Sequence, residues 1–180
     1  MKTLKFLAAA SAVLALSQAH VAMAQAAAKP CINQADLSDA VIYSMPALIG
    51  AFRVKCGPSL AADGYMHTQG ATLSGTYVAQ QNATWPGARR FLMQFTANNS
   101  KSGDDGMAEM ISSLPAEAIR PFVDALIQQE VSKKIPVKDC SKIERGVSLL
   151  APLPPKNLGG FAGFLVQMVD VKNPSICESR

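Results

Sequence analysis

The stretch between Cys31 and Cys56 constrains the chain more than any other. Leu37, Val41, Met45, Leu48, Phe52 and Cys56 recur at three- and four-residue intervals, the repeat of one helical face. Ala40, Ser44 and Ile49 widen that stripe. The start is signalled by Asn33, whose side-chain oxygen suits an N-cap, and by Ile32 and Leu37 at the hydrophobic-staple positions. Asp36 and Asp39 suit the positive end of the helix dipole, and Arg53 and Lys55 the negative end. Gly57 and Pro58 end the helix. Pro46 conflicts with this reading: it deletes an internal hydrogen bond and predicts a kink, or a break into two helices.

That helix governs how the four cysteines (Cys31, Cys56, Cys140, Cys177) can pair. Residues 34–55 as a continuous helix would be about 33 Å long. A disulfide needs Cα atoms within roughly 7 Å. Cys31 and Cys56 therefore cannot meet across the rod, and each is expected to pair with Cys140 or Cys177. The competing geometry joins Cys140 to Cys177 within the C-terminal hairpin and requires the chain to reverse at Pro46. An even cysteine count without C-x-x-C reads as two disulfides in an oxidising compartment, and gives no redox motif or zinc knuckle.

Export is also what the N-terminus predicts. Lys2 and Lys5 precede the apolar run Phe6 to Leu16, and Ala22-Met23-Ala24 is an A-x-A site. Residues 1–24 thus read as a secretory signal peptide, residues 25–30 as an Ala-rich lead, and 31–180 as one domain. No later run is expected to cross a bilayer. A domain of this size buries roughly two-thirds of its unfolded surface, so it owns a core without needing its disulfides. The formal charge of +4 falls by two when Lys2 and Lys5 leave with the leader, too little to argue for nucleic acid.

The remainder is helical in period. After a loop over 57–70, Leu73 and Tyr77 predict a helix to about Gln81. Trp85, Ala88, Leu92 and Phe95 predict another from Thr84 to Ala97, separated from the first at Pro86-Gly87. Met107, Met110, Ile111 and Leu114 mark a short helix that Asp104 suits as cap. Pro115 and Pro121 each suit a helix start ahead of the face Phe122, Val123, Leu126, Ile127 and Val131. Ser141 and Glu144 stand at capping-box spacing in the helix of Ile143, Val147 and Leu150. After the stiff turn at 151–156, Asn157 is expected to cap a last helix with face Leu158, Phe161, Leu165 and Met168. Strand alternation is absent, so the expected fold is an all-α single-domain bundle of six to seven helices stapled by two disulfides.

Few residues suggest chemistry. His67 is the one histidine outside the leader, the cysteines are expected to be oxidised, and no G-x-S-x-G, H-E-x-x-H, Walker A or G-x-G-x-x-G occurs. No catalytic residue, cofactor site or metal site is therefore assigned. His67 beside Met66 reads as an ordinary loop histidine rather than a soft-metal ligand. Asp104, Asp105 and Glu109 read as helix-terminus charges, because the EF-hand pattern fails. Gly159 and Gly163 form G-x-x-x-G, which in a water-soluble bundle lets a neighbouring backbone approach closely. Pro152 and Pro155 read as a stiff turn rather than a peptide-docking motif, and Asn82 and Asn98 head glycosylation acceptors relevant only to a eukaryotic host.

The frame Cys31…Met45-Pro46…Cys56, Trp85-Pro86, Asp139-Cys140 and the run LAPLPP from Leu150 resemble a group of uncharacterised exported helical proteins of Gram-negative bacteria. The resemblance covers most of the region after the leader and implies a periplasmic or secreted setting without an activity. The leading functional expectation is a non-catalytic binding or accessory module for another envelope protein. The alternative is a carrier of a small apolar ligand held between helices near Met45, Phe52, Phe161, Phe164 and Met168. A hydrolase using paired carboxylates from the thirteen acids comes third. An apolar cavity between helices would favour the carrier, and a filled core with an exposed apolar patch the accessory module.

Overall fold

A computed structural model describes residues 31–99, 109–111, 113–169 and 175–177. The fold is all-α, with two disulfides. The helices are α1 (Gln34–Cys56), α2 (Tyr65–Thr68), α3 (Gly70–Val78), α4 (Gln81–Asn99), α5 (Ala116–Lys134), α6 (Cys140–Leu150) and α7 (Pro155–Met168). Residues 1–30, which hold the expected signal peptide and Ala-rich lead, and the residues Asp104 and Asp105 lie outside the described residues.

α1 runs unbroken through Pro46, and Asn33 caps it by accepting the Ala35 amide at 2.8 Å. It is not the one-faced helix that its spacing suggests. Of its residues only Ala35, Arg53 and Val54 are exposed, because α3, α4, α5 and α7 all pack around it. Its two sides serve two apolar clusters. Ile42, Ile49, Phe52 and Cys56 pack with Met66, Leu73, Tyr77 and Cys140 on one side. Tyr43 packs with Trp85, Ala88, Ile111 and Ile119 on the other. A helix apolar all round belongs at the centre of a bundle. The expectation that nothing after the leader is apolar enough to cross a bilayer needs qualifying. By length and composition the stretch Gln34–Ser59 would qualify, but here it is the axis of the bundle and holds the buried Asp36.

Small residues set the closest approaches. A Cβ on Gly159 would stand 2.9 Å from the Ser38 carbonyl oxygen, and one on Gly163 3.1 Å from Gln34 Cγ. The G-x-x-x-G of α7 is thus the face that lies on α1. Gly87 plays the same part for α4, where a Cβ would come within 2.7 Å of Asp39 Cβ. Beside that contact Arg90 holds the buried Asp36 with both carboxylate oxygens engaged, the shortest bond being 2.7 Å.

Several boundaries differ from the sequence expectations. Pro86 and Pro121 lie inside α4 and α5 rather than at a break and a start. Each is the sixth residue of its helix, where tertiary packing carries the helix past one lost hydrogen bond. α7 begins at Pro155 with Pro154 at its N-cap, so Asn157 lies inside the first turn. The Ser141–Glu144 capping box does not form; instead Glu144 accepts the Met66 amide at 2.8 Å, joining α6 to the start of α2.

The disulfides are Cys31–Cys177 and Cys56–Cys140, with Cα separations of 4.9 and 5.5 Å. Each ties one end of α1 to the C-terminal part of the chain, as the length of α1 requires. Beside Cys31 an isolated parallel bridge joins Ile32 to Ile176, with the Cys177 amide donating to the Ile32 carbonyl at 2.9 Å. The helical period of the sequence gives no sign of this bridge.

Candidate functional site

A cavity of about 550 Å³ lies between α1, α4 and α5. α1 contributes Leu37, Ala40, Val41, Tyr43, Ser44 and Leu48, one face over three turns. α4 contributes Trp85, Ala88, Phe91, Leu92, Phe95 and Thr96, and α5 contributes Val123, Leu126, Ile127, Glu130 and Val131. Ile111 closes part of the wall. Ala40 and Ala88 put short side chains on the α1 and α4 walls. Phe91 and Phe95 stack on each other, with ring centroids 5.8 Å apart. Tyr43, Trp85 and Ile111 are buried and form the deep part, whereas Phe95 is 43 % exposed and stands at the opening.

Behind the apolar lining is a polar support. The Tyr43 and Trp85 rings lie 5.0 Å apart, and the Arg120 guanidinium sits 5.0 Å from the Trp85 centroid, a cation–π distance. Arg120 also donates to Asn82 Oδ1 at 2.7 Å, which fixes the guanidinium over the ring. The Tyr43 hydroxyl faces Asp124; burial, and then this carboxylate, raise the phenol well above its ordinary range. Burial likewise raises the Asp124 carboxyl, against the opposing pull of Tyr43 and Arg120.

The polar groups of the lining are mostly occupied. Ser44 Oγ donates to the Val41 carbonyl at 3.0 Å and Thr96 Oγ1 to the Leu92 carbonyl at 2.9 Å. Glu130 bonds Lys133 at 3.0 Å, and this partner lowers the Glu130 pKa. Glu130 is the one ionisable carboxylate among the described lining residues, so the cavity presents no facing carboxylate pair. Such a wall can hold an apolar body by burial and orient it weakly; it offers no nucleophile–base pair.

The residues first suggested for a ligand are not brought together. Met45 and Phe52 pack in the opposite cluster, and Phe161, Phe164 and Met168 are exposed on α7. Met66 is buried, while His67 places Nε2 3.2 Å from the Gly57 carbonyl oxygen. Both border a second, smaller cavity of about 370 Å³ with Arg53 and Leu60. Pro152 lies in the α6–α7 turn and Pro155 opens α7. The α4 stripe Trp85, Ala88, Leu92 and Phe95 is legible from its period, but the period reads as packing. Nothing in the spacing tells a face that meets its neighbour from one that leaves a gap.

No protein-family model, curated protein or solved structure matches the chain.

Proposed function

We propose that this is a non-catalytic, exported binding protein that carries a small apolar ligand between α1, α4 and α5. The observation that carries the reading is the cavity of about 550 Å³ with its almost wholly apolar wall. That volume is within the range of small-molecule sites, and a few polar groups at an apolar wall are their usual composition. Export is supported by the leader-like residues 1–24, by the two disulfides and by the resemblance to exported helical proteins.

Trp85 is the one tryptophan of the chain and lines the cavity, so its emission reports occupancy directly. Titration with N-phenyl-1-naphthylamine is expected to quench Trp85 saturably and raise the probe's own emission. Ala40→Phe, which narrows the cavity from the partly buried α1 wall without adding a second tryptophan, is expected to weaken both changes while circular dichroism stays helical. Unchanged probe binding in that variant would reject the site.

A second reading, an accessory module for another envelope protein, is favoured by α7. Phe161, Phe164, Leu165, Met168 and Val169 follow one helical face and are all exposed. Phe164→Glu is expected to abolish co-purification of such a partner without affecting probe binding in the cavity. Retention of the partner would remove this reading.

A further inference from the structure

α7 turns its small residues inward and its large ones outward. Gly159 and Gly163 lie against α1, while Phe161, Phe164, Leu165 and Met168 form one outward stripe, with Met168 66 % exposed. Lys156 is the one charged residue of this helix, so the stripe carries no charge over a helix about 21 Å long. Among the described residues, nine of the thirteen exposed large apolar side chains fall between Val137 and Val169.

Positive charge gathers on the same segment. Residues 133–169 hold six basic residues, all exposed, against two acids. Glu144 accepts the Met66 amide, and Asp139 stands 3.7 Å from Lys142. Lys133 pairs with Glu130, and Lys156 lies in the field of Asp39. Among the described residues Lys134, Lys138 and Arg145 form no ion pair. On α6, Lys142, Arg145 and Leu149 follow at three- and four-residue spacing and make its outer face, opposite Ile143 and Val147.

The two helices succeed one another along one side of α1. α6 starts at the disulfide to Cys56 and packs Ile143 and Val147 on the cluster of Ile49 and Phe52. Leu158 of α7 joins the same cluster, and Gly159 and Gly163 continue past Ser38 to Gln34. The basic outer face of α6 and the apolar outer face of α7 therefore lie end to end on that side.

We infer that the α6–α7 surface docks on a bilayer that carries anionic headgroups. α7 lies in the interface plane with its apolar stripe among the upper acyl carbons, and α6 sets Lys142 and Arg145 against the phosphates. The basic residues decide for lipid over a protein partner, because protein interfaces are depleted of lysine at their core. A two-fold pairing with a second copy would place the same positive patch on both sides. The docking is independent of what the cavity between α1, α4 and α5 holds, though it would bring a carrier to a source of apolar ligand.

Co-sedimentation of the full protein with vesicles tests this. Vesicles of phosphatidylglycerol and phosphatidylcholine in equal parts are expected to bind it, and vesicles of phosphatidylcholine alone to bind it roughly tenfold more weakly or less. Lys142→Gln with Arg145→Gln is expected to weaken binding to the mixed vesicles by roughly tenfold or more, and Phe161→Gln with Phe164→Gln to do the same. These four side chains are exposed, so circular dichroism and probe binding in the cavity are expected to stay unchanged in both variants. Arg89→Gln removes an exposed cation of α4 and is expected to leave vesicle binding as it was. Equal binding to the two kinds of vesicle, or an equal loss in Arg89→Gln, would overturn the docking. Absence of binding to either vesicle would overturn it too. A dimer in sedimentation that the Phe161 and Phe164 changes dissociate, and that vesicles leave intact, would give the stripe to a second copy and likewise overturn it.

Discussion

Gln81 donates its side-chain amide to the backbone carbonyl of Tyr43 at 3.2 Å. The bond crosses from the first residue of α4 to the middle of α1, three residues before Pro46. Pro46 has no N–H for the Ile42 carbonyl, and its ring crowds the ladder at that turn. The neighbouring carbonyl of Tyr43 receives a donor from another helix, and α1 remains one element through the proline. Side-chain partners of this kind are what let a buried helix keep an internal proline.

Gln81→Ala should therefore cost about 1–2 kcal/mol in chemical denaturation, the scale of leaving a part-buried carbonyl short of a donor. In a Pro46→Ala background, where the Ile42 carbonyl regains its N–H and the ring no longer crowds the neighbouring Tyr43 turn, the same change should cost less. A double-mutant cycle measures the difference. Additive effects would mean that Gln81 does not serve the proline turn.

The two glycines on the inner face of α7 and the one beside them make a second test. A side chain at Gly159 would collide with the Ser38 backbone, whereas one at Gly160 meets nothing within 4 Å. Gly159→Val should destabilise by about 1–3 kcal/mol through overpacking. Gly160→Ala should be stabilising by about 0.5–1 kcal/mol, because alanine suits a helix interior better than glycine. Equal effects at the two positions would contradict the α1–α7 contact.

How far the sequence reveals this fold depends on how local the deciding interaction is. Asn33 and the helical periods act within a turn, so the start of α1 and the existence of most helices are readable; α1 does end at Cys56, but Gly57 stays right-handed (φ −46°) and opens a 3-10 turn at Gly57–Ser59 instead of forming the expected left-handed cap. The disulfide pairing is half-readable, since the length of α1 excludes Cys31–Cys56 but cannot choose between Cys140 and Cys177. Glu144 shows the opposite case: its spacing to Ser141 suggests a local box, yet the Met66 amide, brought near by the Cys56–Cys140 disulfide, takes its carboxylate. Pro86 and Pro121 look like helix boundaries because the packing that carries α4 and α5 past them is tertiary. The cavity is the least readable, because it depends on how the faces of α1, α4 and α5 come together rather than on the period of any one of them.

The disulfides should map as Cys31–Cys177 and Cys56–Cys140 in non-reducing peptide analysis. Replacing both Cys56 and Cys140 with alanine opens a loop with a sequence separation of 84 and should cost about 2–5 kcal/mol in urea denaturation. The two sulfurs lie inside the first apolar cluster, so part of that loss is packing. A stability unchanged by the double replacement would mean that this pair does not form.

The pH dependence of stability should carry the mark of Asp124. Burial between α1 and α5 raises its carboxyl above the ordinary 3.8, and Tyr43 and Arg120 offset this only in part. A carboxyl with a higher pKa in the folded chain binds protons more readily there than when unfolded. Its contribution is then fully present below the unfolded pKa and is lost as pH rises through the folded one. Asp39 has the same sign, from burial first and Asp36 second. Glu130 has the opposite sign, its contribution appearing above its unfolded pKa because Lys133 favours the carboxylate. Asp124→Asn preserves the side-chain shape and removes the titration. Relative to the unaltered protein, this variant should gain stability as pH is raised from below 3.8 toward neutrality. Urea denaturation at a series of pH values measures the difference between the two chains. A difference that stays constant across the series, or that moves against the variant, would show that Asp124 does not titrate in the raised environment described for it beside Tyr43.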